Sequence, residues 1–464
     1  MTFFRRKKCK KYTFALENSG GWGYTQAAMK RSAWTELEEW KARAGRKPLL
    51  LRGARQVGKT WLMREFGRQK YDKVVVVNFD TNTTMHRLFT QEKDVRQLLS
   101  GMEMESGVRI TPGDTLIVLD EIQECPQALA TLKYFCEDAP EHHVMAAGSL
   151  LGVAETHRGY SFPVGKVEFL QITPLSFYEF LEGTGQERHA DALRECQLPL
   201  IAAARDTYTR LLKTYFYVGG MPAAVADYAA NADFGRVRRI QEDLLQAYEQ
   251  DFAKHIHASD TPKVRLIWNS IPTQLAKEKK FIYNRLAPGA RSSTYENALS
   301  WLLAAGLVHR LPRISKPDLP LAGYEDAGAF KLFMVDIGLL CAKSGLDART
   351  LLEGNAIFEE YKGALTEQYV LQELKTLGRI PLCYWTGGVS EVDFVAQLEG
   401  RVIPIEAKAG INLKAKSLAV YRQKYAPPVS IRSSLSEYSA KNGLLDIPLY
   451  LLGSLPRILI ENVE

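Results

Sequence analysis

Eight consecutive residues, Gly53-Ala54-Arg55-Gln56-Val57-Gly58-Lys59-Thr60, limit what this chain can fold into more than anything else in it. Glycine, four residues, glycine, lysine, then threonine is the pattern of a phosphate-binding loop, and it works only between a strand and a helix. Both flanks fit. Pro48-Leu49-Leu50-Leu51 reads as a buried strand, and Trp61-Leu62-Met63-Arg64-Glu65-Phe66 reads as a helix. The glycines let backbone N–H groups turn toward a phosphate, and the helix start adds positive potential. All eight residues are assigned to a nucleotide, with Lys59 reaching its β- and γ-phosphates and Thr60 holding Mg²⁺. Without a ligand the same residues would be only a tight strand-to-helix turn.

The surrounding pattern is that of an α/β domain. Val74-Val75-Val76-Val77, Leu116-Ile117-Val118-Leu119, Val144-Met145-Ala146-Ala147 and Val167-Glu168-Phe169-Leu170 are short aliphatic runs separated by helical spacings. Such alternation predicts a doubly wound parallel sheet. The second run ends in Asp120-Glu121. A strand tip would project both carboxylates beside the γ-phosphate, with Asp120 acting on Mg²⁺, directly or through water, and Glu121 polarising the attacking water. Ser149 follows the next strand and would touch the γ-phosphate or the water, or else cap a helix. Arg158 is a candidate to reach the γ-phosphate of a neighbouring subunit, which would require a homo-oligomer; as a solvated loop arginine it needs no such role.

After Pro174 the pattern turns helical, broken by Gly219-Gly220-Met221-Pro222. Residues 281–312 have a helix-turn-helix flavour, with a polar start at Arg291-Ser292-Ser293-Thr294 and a wing-like strand at Leu307–Leu311. Lys277, Lys279, Lys280, Arg285 and Arg291 nearby suit either DNA phosphates or a solvated surface. A long helix from about Ala364 leads into a hairpin, Glu391 to Glu406, around Gly400. Here Glu367, Asp393, Glu406 and Lys408 form an acid, acid, acid-x-lysine set that resembles the metal site of restriction-type nucleases and junction resolvases. Asp393 and Glu406 would ligate Mg²⁺, Lys408 would steady the attacking hydroxide or the phosphate, and Glu367 would order a second metal or a water. Alternating charge on the solvent face of a strand would look the same. Lys414, Lys416, Arg422 and Lys424 follow, either to guide a DNA backbone or to solvate a helix.

Taken in order, Leu51 through Thr60, Leu119-Asp120-Glu121-Ile122-Gln123, Gly148-Ser149-Leu150-Leu151, Leu170 through Phe177, Gly219 through Pro222, Glu391-Val392-Asp393-Phe394 and Ile405-Glu406-Ala407-Lys408 resemble the bacterial and archaeal AAA-type P-loop ATPases with a C-terminal restriction-endonuclease-like domain of unknown function. The resemblance implies ATP as the nucleotide. It also implies a P-loop AAA-like core over residues 29–180, a helical lid at 181–255, a winged-helix-like segment at 256–325 and an α/β restriction-endonuclease-like domain at 326–464. Gly165-Lys166 departs from the Gly-Arg common in that family, and lysine cannot make an arginine's bidentate contact. The expected function is a Mg²⁺-dependent ATPase whose nucleotide state controls a nuclease-like or DNA-binding domain. The alternative is an ATP-controlled interaction switch with an inert nuclease-like domain. A ring-forming remodeller ranks below both, because no aromatic pore motif is visible.

Charge adds little. Of the net +7, residues 1–28 supply six basic side chains against Glu17, so the remainder is close to neutral. Those residues are read as a basic, disordered extension or as an arm for nucleic acid or a membrane surface, and Met29 as an alternative start. No apolar stretch approaches the roughly 20 residues of a membrane span, and no apolar segment follows the basic start as a secretion signal requires. Six scattered cysteines without a C-x-x-C pair fit a reducing cytoplasm.

Overall fold

The structure, a computed structural model, describes residues 30–148, 162–353, 359–410 and 415–463. These fall into two compact units. The first comprises Ala33–Arg52 and Gly58–Gln171. The second comprises residues 30–32, Gly53–Val57 and everything from Ile172 onward, so the division falls inside the phosphate loop.

The first unit is built on five parallel strands: β1 (Leu49–Arg52), β2 (Lys73–Asn78), β3 (Thr115–Asp120), β4 (His143–Ala147) and β5 (Glu168–Gln171), in the order β2-β3-β4-β1-β5. All pairings are parallel, and helices lie between β1 and β2, between β2 and β3, and between β3 and β4. β3 is buried at all six positions, as a central strand covered on both faces must be. Its Ile117 and Leu119 pack with Leu50, Val144, Phe89, Leu98 and Phe135 in one core. Each such aliphatic side chain contributes about 1.5–3 kcal/mol by leaving water. Parallel strands share one carboxyl edge, so Arg52, Asp120 and Ala147 end β1, β3 and β4 on the same side, where ligands of open α/β sheets sit.

The second unit begins with helices, among them Phe177–Gly183, Arg205–Val218, Pro222–Asn231 and Phe234–His255. Gly219 ends one of them and Pro222 opens the next, as the sequence break requires. An eight-stranded sheet follows. Its strands are β6 (Val308–Ile314), β7 (Glu325–Met334), β8 (Leu382–Gly387), β9 (Ser390–Leu398), β10 (Arg401–Ala407), β11 (Ser430–Ser434), β12 (Ser439–Lys441) and β13 (Leu444–Pro448), in the order β12-β13-β11-β10-β9-β8-β6-β7. The expected wing strand is β6, and it follows the expected helix, Ser292–Ala304. It does not stand apart, however. β6 pairs with β7 and with β8, so the wing belongs to the C-terminal sheet, and the expected boundary at 325–326 falls at the start of β7.

The helix Glu359–Thr376 completes the backbone bonding beside β7. The Gln368 amide donates to Met334 O and accepts from Met334 N, at 2.8 and 3.0 Å. Gln372 accepts from Ile337 N at 2.9 Å. A covered edge of this kind leaves fewer open donors and acceptors for a stray strand. Among the described residues no helix is long and apolar enough to cross a membrane.

Candidate functional site: a phosphate loop and a carboxylate centre

The loop has the backbone its sequence requires. Gly53 takes φ +147, Gln56 φ +66 and Gly58 φ +93. A Cβ on Gly53 would stand 2.1 Å from Ile172 O, so only glycine fits there. Gly58 leads straight into the helix Lys59–Lys70, and the start of a helix is an end that suits an anion. Lys59 is buried at the helix start.

Thr60 sits on the first turn of that helix, and its Oγ1 donates a 3.1 Å hydrogen bond to Asp120 Oδ1 at the tip of β3. Burial, then the neighbouring Glu121 charge, raises the Asp120 pKa, while the Thr60 bond opposes the rise. Glu121 takes φ +47, the left-handed region that a non-glycine residue enters at a cost. The kink turns its carboxylate off the strand line, where Gln123 Nε2 donates to Oε2 at 2.6 Å. Ser149 and Arg158 lie outside the described residues. Lys166, the departure from the family pattern, pairs with Glu137 at 2.8 Å.

The family model of the AAA domain matches residues 45–181. Residues 45–181 are thus similar to an AAA domain. This AAA-like domain is followed by two matches to domains of unknown function, DUF8612 over residues 209–350 and DUF4143 over residues 362–452. No curated protein matches the chain. Among solved structures, it resembles the Walker-type ATPase paby2304 of Pyrococcus abyssi, with 15% identity, 69% of this chain and 97% of that chain covered, and a TM-score of 0.44. It also resembles the Aeropyrum pernix ORC2 protein, with 14% identity, coverage of 75% and 96%, and a TM-score of 0.37. The RuvB Holliday junction branch migration motor of Thermotoga maritima follows with 16% identity, coverage of 62% and 90%, and a TM-score of 0.28.

The second constellation also assembles, away from the AAA-like domain in sequence. β9 carries Glu391 and Asp393 on one face, and β10 ends in Glu406 with Lys408 two residues on. The two strands pair antiparallel, and Asp393 lies one step beyond the paired Phe394 and Ile405. Asp393 Oδ2 accepts from Ala407 N at 2.8 Å, and Lys408 Nζ lies 2.6 Å from Glu406. Burial, and then the Glu367 and Glu406 charges, push the Asp393 pKa well up.

Lys331 on β7 enters this group, which the motif alone did not reveal. Its ammonium lies 2.8 Å from Glu367 and 2.6 Å from Glu391, with a side chain 6% exposed. Burial pulls its pKa down, but Glu367, Glu391 and Asp393 together push it up further. A signal was present: Phe330-Lys331-Leu332-Phe333-Met334 places one lysine in an otherwise apolar strand, and a buried ammonium needs carboxylate partners. Among the described residues no three Asp, Glu, His or Cys side chains form a group that could hold a metal ion. Within this centre Lys331 and Lys408 supply positive charge against the carboxylates.

Of the basic residues proposed for DNA, Lys277, Lys279, Lys280, Arg285 and Arg291 are exposed, and Arg285 pairs with Glu278 at 2.7 Å. Lys416 and Lys424 are exposed, Arg422 donates to Asn442 O, and Lys414 lies outside the described residues.

Proposed function

We propose that the chain is an ATP-driven switch, a Mg²⁺-dependent AAA ATPase whose nucleotide state controls its C-terminal sheet. The observation that supports the first half best is the Thr60–Asp120 hydrogen bond at the foot of the loop helix. A hydroxyl and a carboxylate at one point are hard oxygen donors that suit Mg²⁺, which would offset the phosphate charge when bound. Lys59 and the first-turn amides hold the phosphates. Glu121 accepts the proton of the attacking water as the water oxygen bonds to the γ-phosphorus and the bond from that phosphorus to the β–γ bridging oxygen breaks, so that ADP leaves with the bridging oxygen. Gln123 holds the Glu121 carboxylate through one oxygen, at 2.6 Å.

For the C-terminal sheet, the Lys331 ion pairs favour a nuclease-like module that binds without cutting, because an internal cation already balances the carboxylates. The competing reading is DNA cleavage through Glu367, Asp393, Glu406 and Lys408. DNA and a second copy of the chain are the proposed partners, and the described cysteines, all free thiols, support a reducing cytoplasm. The test is incubation of the full chain with supercoiled, linear and four-way-junction DNA, with Mg²⁺ or Mn²⁺, with and without ATP, beside Asp393→Ala. Binding without cleavage supports the inert module. Cleavage lost in Asp393→Ala establishes the nuclease and rejects it.

A further inference from the structure

Sequence motifs define which residues touch a phosphate; they do not define what holds the loop in shape. That shape is costly here, because Gln56 is a non-glycine residue at φ +66. Two of the loop's carbonyls are fastened by side chains far from it in sequence, all within the second unit. Arg31 Nη1 donates to Val57 O at 3.0 Å. Tyr248 Oη, on the helix Phe234–His255, donates to Arg55 O at 2.9 Å. The Arg55 side chain, in turn, pairs with Asp251 one turn along that helix.

Arg31 is the more committed of the two. Its side chain is 5% exposed. The second arm of its guanidinium donates to Thr173 O at 2.6 Å, and Nε lies 3.3 Å from Glu179 Oε1. Glu179 is itself fixed, accepting from Ser32 N at 2.6 Å, Ser32 Oγ at 3.0 Å and Ser176 N at 2.8 Å. A guanidinium held on three sides has little freedom to follow a moving carbonyl.

The consequence follows from peptide geometry. In a trans peptide the C=O and the next N–H point in opposite directions in one plane. Holding Val57 O therefore aims the Gly58 N–H away from Arg31, and holding Arg55 O aims the Gln56 N–H away from Tyr248. Amides aimed in this way are what a phosphate cradle consists of.

We propose that Arg31 is a positioning residue for nucleotide binding: by gripping Val57 O it presets the peptide that presents the Gly58 N–H to phosphate. Tyr248 does the same for the peptide ahead of Gln56. This rests on the nucleotide-binding reading given above. Lysine in place of Arg31 keeps the charge opposite Glu179 but loses the fork that grips two carbonyls at once.

The test uses the full chain and its Arg31→Lys, Arg31→Met and Tyr248→Phe variants. Arg236→Met serves as a control, since it removes the half-exposed partner of the buried Asp227 elsewhere in the second unit. Three quantities are measured: the melting temperature, the dissociation constant of a fluorescent ATP analogue, and amide exchange across residues 53–58 without nucleotide. Arg31→Lys is expected to weaken binding about tenfold and to speed exchange at 56–58. Arg236→Met is expected to lower the melting temperature with binding and loop exchange unchanged. Wild-type affinity and loop exchange in Arg31→Lys overturn the proposal. If Arg31→Met does not fold, Arg31→Lys and Tyr248→Phe still decide it. A wild-type chain that binds no analogue rejects the nucleotide reading, and loop exchange then still tests the grip of Arg31 on its own.

Discussion

The Lys331 ammonium on β7 lies 2.8 Å from the Glu367 carboxylate on the helix that covers that strand. One buried cation therefore ties helix to sheet at the centre where the sequence suggests metal chemistry. Removing one partner of a buried pair leaves the other charge stranded, so Lys331→Met should cost about 3–5 kcal/mol of stability. Urea unfolding of the full chain measures this, and Lys331→Met with Glu367→Gln should recover part of the loss. A loss confined to a few tenths of a kcal/mol would mean that the pair is dispensable.

Asp336 and Gly219 make the second specific joint. The buried Asp336 carboxylate accepts from Gly220 N at 2.6 Å and from Leu339 N at 3.0 Å. A Cβ on Gly219, which has φ +73, would stand 2.2 Å from Asp336 Oδ1 and 2.8 Å from the Gly338 backbone. Gly219→Ala combines left-handed strain with overpacking and should destabilise by about 2–5 kcal/mol. Thermal unfolding checks it, and an unchanged melting temperature contradicts it.

Glu373 should make stability fall as pH rises. Burial pushes its pKa up to about 8, against the pull of Phe177 N, whose bond to Oε1 is 2.8 Å long. The folded chain therefore holds this proton more tightly than the unfolded one. That contribution is whole below the ordinary value of 4.5 and is lost as pH climbs through about 8. Glu373→Gln keeps an acceptor for Phe177 N without the titration. Relative to wild type it should gain stability from pH 5 to 8, by at most about 1.4 kcal/mol per pH unit. Parallel stability curves for the two proteins would contradict this.

The parts legible in the sequence are those whose chemistry is local. Gly53 through Thr60, the acid-tipped strand at Asp120 and the Glu406-x-Lys408 strand each carry their pattern within a few residues. The strand and helix spans follow the aliphatic runs closely for the same reason. Arg31 and Val57, or Lys331 and Glu391, meet only because the chain returns, and nothing at Arg31 distinguishes a buried fork from a solvated arginine. β6 read as a separate wing because a short strand after a helix looks alike in either setting; its pairing with β8 lies about 70 residues away.

The central claim is that the loop at Gly53–Thr60 binds ATP and that Glu121 drives its hydrolysis. The direct measurement is ATP binding and turnover by the wild-type chain, Lys59→Ala and Glu121→Gln. Lys59→Ala should lose tight binding. Glu121→Gln should bind ATP as wild type does while its turnover falls by about 10²-fold or more. A Glu121→Gln protein that hydrolyses ATP at the wild-type rate, or a wild-type chain that binds none, would contradict the account.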